Sequence, residues 1–117
     1  MNRARILVVD DEADVQEVVG DLLTAGGYEV EMAGTYEAAL AAVGRHTFDL
    51  VISDLRLPGA RGDRLVEEIV RRRPSLANRI ILLTGEVVDV RSSLPVILKP
   101  FHLDAVLSAV EDRLAAA

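Results

Sequence analysis

The sequence predicts an α/β fold: a doubly wound, five-stranded parallel sheet with helices on both faces. Three observations carry this. Short, β-branched apolar runs alternate with segments whose apolar residues recur at helical spacing. Alternation of that kind implies parallel pairing through right-handed crossovers. The 117 residues suit one compact domain, and 50% of them are hydrophobic, enough for a core between two helical layers. No repeat, linker or composition shift divides the chain, so residues 1–117 are read as one domain.

The elements follow in order. Ile6-Leu7-Val8-Val9 is a strand stopped by Asp10. Val15, Val18, Val19, Leu22 and Leu23 form one apolar stripe, expected in the core, and Gly26-Gly27 closes that helix. Tyr28 to Ala33 alternates polar and apolar residues, as a strand at a sheet edge does. Thr35 can N-cap a second helix with Tyr36, Ala39, Leu40 and Val43 inward. Leu50-Val51-Ile52-Ser53 ends at Asp54. Leu65, Val66, Ile69 and Val70 mark a third helix, ended by Arg71-Arg72-Arg73-Pro74. Arg79-Ile80-Ile81-Leu82-Leu83 ends at Thr84, and Val96-Ile97-Leu98 ends at Lys99. Leu103, Val106, Leu107, Val110 and Leu114 mark the last helix. The continuous apolar runs, Val96 to Leu98 included, read as strands buried on both faces. From Gly85 to Leu94 there are ten residues, room for a turn or two but not for a full crossover helix. The fourth helix is therefore predicted to be truncated or missing.

Composition excludes several function classes. Against 19 acidic residues stand 13 basic ones, a net charge of −6, which disfavours nucleic acid as a partner. Cysteine is absent, so neither disulfides nor a thiolate metal site can form. No apolar run approaches the roughly 20 residues of a membrane span. The N-terminal apolar stretch stops at three acids, unlike a signal peptide, and a cytoplasmic location is expected.

The chemistry gathers at strand ends. In open parallel sheets, ligands bind beyond the carboxyl ends of the strands. Here four strands end in polar groups: Asp10-Asp11, Asp54, Thr84 and Lys99. Singly, each has a bland reading as a cap, a turn or a surface group. Together at one edge they read as a site. Converging carboxylates repel unless a proton or cation relieves them. Hard oxygen ligands without His or Cys select Mg²⁺ or a similar ion. A cation, a hydroxyl and a carboxylate nucleophile complete what phosphoryl transfer needs, because that chemistry is largely positioning and charge neutralisation.

These residues closely resemble the receiver domain of two-component response regulators. The resemblance spans the chain and rests on Asp10-Asp11, on Asp54 with Pro58 and Gly62 following, on Thr84, and on Lys99-Pro100-Phe101. It implies a flavodoxin-like sheet of order 2-1-3-4-5. It implies Asp54 as phosphoacceptor and Asp10 and Asp11 as the acidic pair holding Mg²⁺ with Asp54 and the backbone carbonyl of Arg56. Thr84 would be the hydroxyl that moves toward the phosphoryl group, and Lys99 its ion-pair partner. A cis Lys99–Pro100 bond is implied as well. The partner would be a histidine kinase or histidine phosphotransfer protein, with slow autodephosphorylation and no other enzymatic activity. Oligomeric state, cognate kinase and output stay open, as does whether the domain stands alone or belongs to a hybrid kinase.

The chain departs from the family pattern in three places. Val96 replaces the usual aromatic residue, so coupling between Thr84 and an aromatic ring cannot operate in its usual form. The interval from Thr84 to Lys99 is short. Arg56 and Glu86 flank the phosphoryl position and either pair across the site mouth or stand as unrelated exposed side chains. Glu12 either helps hold a metal or simply opens the first helix. His46 and His102 lack metal-ligand spacing and read as structural or surface residues, while Asp14 and Glu17 read as a solvated helix face. The alternative function is a receiver-fold interaction module that works without phosphorylation. A flavin-binding sheet is disfavoured, because Asp10-Asp11-Glu12 would repel a phosphate after the first strand. A haloacid-dehalogenase-like phosphatase would need Asp-x-Asp there.

Overall fold

The computed structural model describes residues 3–57, 60–85 and 94–115, with 60–63 described by their backbone only. The elements run β1 (Arg5–Val9), α1 (Ala13–Ala25), β2 (Glu29–Ala33), α2 (Tyr36–Arg45), β3 (Leu50–Asp54), α3 (Gly62–Arg72), β4 (Ile80–Thr84), β5 (Val96–Leu98) and α4 (Leu103–Ala115). Two small features were not expected: an antiparallel pairing of Arg56–Leu57 with Ala60–Arg61, and a single 3₁₀ turn at Pro74–Leu76.

The five strands pair in parallel in the order β2-β1-β3-β4-β5, which is the 2-1-3-4-5 order expected. Register decides what lies at the carboxyl edge. Val9 pairs with Ser53, so Asp10 stands level with Asp54. Asp54 pairs with Leu83 and Thr84 with Leu98, so Thr84 and then Lys99 follow along the same edge.

Side-chain alternation along the strands divides the core into two layers. Ile6 and Val8 of β1 face Val19 and Leu23 of α1 and Val106 and Val110 of α4. Leu7 and Val9 face the other way, toward Ala39, Ala42 and Val43 of α2 and Leu65 and Ile69 of α3. All five residues of β3 and all five of β4 are buried, as continuous apolar runs require.

Local signals explain the helix ends. Gly26 C-caps α1, and Gly27 takes a φ of +91°, which an L side chain would resist. The Thr35 hydroxyl accepts from the Ala38 amide at 3.1 Å and so caps α2. His102 sits at the start of α4, where its carbonyl accepts from the Ala105 and Val106 amides.

Two expectations need correction. Val96 and Leu98 are exposed at 38% and 49%, so β5 is not buried on both faces. It is the sheet edge opposite β2, and an edge strand has one neighbour only. Val18, assigned to the core stripe, is 44% exposed. The stripe that α1 buries runs instead through Val19, Gly20 and Leu23. Four α-helices lie among the described residues; the segment on which the fourth helix was expected to be truncated or missing falls largely on 86–93, outside them.

Candidate functional site

The carboxyl edge of the sheet carries a cleft of about 600 Å³, lined by Asp11, Glu12, Asp54, Arg56, Thr84 and Lys99 among others. Of its lining residues Asp54 is 6% exposed and Thr84 1%, and Asp10, fully buried, shares Lys99 with Asp54. Polar groups buried so deeply need partners. Lys99 supplies them for the two carboxylates. Its ammonium donates to Asp10 Oδ2 at 2.7 Å, to Glu12 Oε1 at 2.8 Å and to Asp54 Oδ2 at 2.9 Å. The side chain starts at the β5 edge and passes beyond the end of β4 to reach Asp54, which ends β3, and Asp10 and Glu12, which follow β1.

Every polar group of Asp10 is tied. Its backbone N–H donates to the Ala33 carbonyl at 3.0 Å. Its Oδ1 accepts from the Glu12 amide at 2.8 Å and its Oδ2 from Lys99. Its own carbonyl accepts from the Gln16 side chain at 2.6 Å. Asp54 is held similarly: Oδ1 accepts from the Arg56 amide at 2.9 Å, and the Ser53 hydroxyl donates to its carbonyl at 3.0 Å.

Burial pushes the Asp10 carboxyl above the usual aspartate range, against the hydrogen bonds from Lys99 and the Glu12 amide. Repulsion from Asp54 adds to the rise. Lys99 is shifted upward too. Burial opposes its charge, but the hydrogen bonds to Asp10, Glu12 and Asp54 outweigh that and keep it an ammonium. The site is therefore acidic, with one internal cation at its centre.

Asp10, Glu12 and Asp54 each offer an oxygen within 4.8 Å of the others. Three hard oxygens, with neither imidazole nor thiolate, fit Mg²⁺. Thus the structure brings together Asp10, Asp54, Thr84 and Lys99, and places the Arg56 backbone beside them. Asp11 stands exposed on the cleft wall, outside the tight carboxylate triad that Glu12 completes. The Lys99–Pro100 peptide is cis. The suggested pairing of Arg56 with Glu86 involves a residue outside the described set.

Three contacts lay beyond sequence reasoning. Glu12 was ambiguous, and its bond to Lys99 resolves it as a site residue. Ser53 and Gln16 carried no signal, because Ser53 reads as one more strand residue and Gln16 as one polar residue on an amphipathic helix. His46 does sit outside the site, 3.5 Å from Glu31 and edge-on to Phe48.

Comparison with known proteins agrees with this fold. The family model described as response regulator receiver domain matches residues 6–111. The chain is 34% identical to the response regulator protein FleR of Pseudomonas aeruginosa over 112 residues, covering 92% of this chain and 24% of that protein. It is 32% identical to the transcriptional regulatory protein GlrR of Escherichia coli, covering 95% and 26%. The chain thus spans about a quarter of the length of these relatives. Among solved structures, a CheY-like receiver domain protein from Methanospirillum hungatei superposes with a TM-score of 0.88 at 28% identity, over 97% of this chain and 94% of that one. The response regulator TrrA of Thermotoga maritima, solved in complex with Mg²⁺ and BeF, gives 0.82 at 34% identity, over 94% and 98%.

Proposed function

This chain belongs to the response regulator receiver domain family, and from that membership we propose that it accepts a phosphoryl group on Asp54 in a two-component phosphorelay. The observation that carries the reading is the Lys99 ammonium, bonded at once to Asp10, Glu12 and Asp54. An Asp54 carboxylate oxygen forms the new P–O bond while the P–N bond of a partner's phosphohistidine breaks, and the imidazole leaves with the electron pair. Asp10 and Asp11, with Asp54 and the Arg56 carbonyl, would hold Mg²⁺, and Glu12 stands close enough to contribute. The metal, when bound, neutralises charge on the phosphoryl oxygens. Lys99 then transfers its bond from the Asp54 carboxylate to a phosphoryl oxygen, and the Thr84 hydroxyl donates to another. Slow hydrolysis by water at phosphorus returns the free carboxylate. The partner is a histidine kinase or histidine phosphotransfer protein, and the domain works in the cytoplasm.

Intact mass after incubation with Mg²⁺ and a small acyl phosphate tests this. One added phosphoryl group is expected on the natural sequence and none on Asp54→Asn. An unmodified mass with both the small donor and a phosphorylated kinase would overturn it, and leave the fold as an interaction module.

A further inference from the structure

The acidic turn after β1 is held by a side chain that no site motif includes. Gln16 lies in the first turn of α1, half-buried, three residues after the helix start at Ala13. Its Nε2 donates to the Asp10 carbonyl at 2.6 Å. Gly34 borders the contact: a Cβ there would lie 3.6 Å from the Gln16 Nε2 and 3.9 Å from the Asp10 oxygen. The bonded carbonyl belongs to the peptide that joins Asp10 to Asp11. A peptide unit is planar, so fixing its carbonyl also fixes the direction of the Asp11 N–H and the Cα from which the Asp11 side chain departs.

Asp10 and Asp54 reach their positions through Lys99 and through neighbouring amides. Asp11 is exposed on the cleft wall, and its aim depends on the backbone that carries it. We propose that Gln16 is a positioning residue: by holding the Asp10–Asp11 peptide plane it aims the Asp11 carboxylate into the cleft for cation binding. This rests on the Mg²⁺ reading of the site given above.

Two substitutions separate positioning from other roles. Gln16→Met keeps length and apolar stem but cannot donate. Gln16→Glu keeps the shape, replaces the donor by an acceptor that repels the carbonyl, and adds a negative charge near the cleft. If Gln16 acts only through net charge, the glutamate variant binds Mg²⁺ more tightly. If it positions the turn, both variants bind less tightly, about threefold to tenfold for one hydrogen bond. Calorimetric titration of each folded protein with Mg²⁺ alone reads this directly, well below its unfolding temperature. A merely structural role would lower the unfolding temperature and leave Mg²⁺ affinity untouched. Either variant binding as tightly as the natural protein overturns the proposal. Amide hydrogen exchange at Asp11 and Glu12 provides a readout that needs no metal: exchange speeds up in Gln16→Met, and unchanged exchange overturns the proposal. Should the natural protein itself bind no Mg²⁺, the metal reading falls, and the exchange result still judges whether Gln16 holds the turn.

Discussion

At the scale of single residues, Lys99 decides the character of the site. It is the sole lysine among 13 basic residues. A compact ammonium with three donors suits three separate carboxylates, whereas a planar guanidinium fork suits one. Its own side chain is 14% exposed, and two of its partners are at 8% or less. Removing one member of such a cluster leaves the others uncompensated, at a cost of roughly 3–5 kcal/mol. Glu12 is far more exposed than its companions and can relax into solvent, so Lys99→Met should destabilise by about 3 kcal/mol, the low end. The same variant should gain a larger Mg²⁺-dependent rise in unfolding temperature than the natural protein does, because the added cation then meets carboxylates with no internal competitor. Thermal unfolding with and without Mg²⁺ measures both effects, and equal shifts in the two proteins would contradict the argument. Strand-end polarity made Asp10, Asp54, Thr84 and Lys99 legible in the sequence. Glu12 and Gln16 were not legible as contacts, because periodicity gives the face of a helix and not how far a side chain reaches.

At the scale of elements, α1 and α3 show how much local chemistry the packing tolerates. Gly20 lies buried in the middle of α1, where glycine costs roughly 0.5–1 kcal/mol relative to alanine. A Cβ at that position would collide with Met32 Cε and with no other side chain or strand backbone beyond its own helix. That atom is the free end of a flexible side chain 36% exposed on the edge strand β2, and it can swing outward. Gly20→Ala should therefore stabilise by up to about 0.5 kcal/mol in urea unfolding, most of the helix propensity gain surviving the displacement. A loss of stability would mean that Met32 is locked in place. On α3, Glu68 accepts from Arg71 and Arg72, which holds its carboxyl down at about 2 against an ordinary 4.5. A depressed acid contributes stability above its unfolded value and loses it as pH falls through its folded value. The pair is solvent-exposed, so its contribution is small. Glu68→Gln should unfold at slightly lower temperature near neutrality, and the difference should close between pH about 4.5 and about 2. A gap that persists in acid would point to helix propensity and not to the ion pairs.

At the scale of the whole molecule, the site and the sheet stabilise each other. Buried strands announced themselves: β3 and β4 are apolar runs with every residue covered. The edge position of β5 did not, because three apolar residues look alike in a central strand and at an edge. Only the number of neighbours distinguishes them, and that is a property of the assembled sheet. With three residues and two exposed side chains, β5 buries little apolar surface of its own. Its backbone bonds to β4, and Lys99 donates from its N–H to the Thr84 carbonyl at 2.7 Å. The Lys99 side chain then reaches Asp54 at the end of β3 and Asp10 just after β1, tying the edge to the two strands beyond its neighbour. Losing that tie should loosen the edge before the centre, since elements with few buried contacts open at lowest free energy. In Lys99→Met, amide hydrogen exchange should accelerate at Ile97, whose N–H faces β4, by a larger factor than at Val51 and Ile52 of β3. Acceleration by one common factor across the sheet would show instead that Lys99 stabilises only the globally folded state. A β5 that exchanges as slowly as in the natural protein would show that its pairing with β4 suffices.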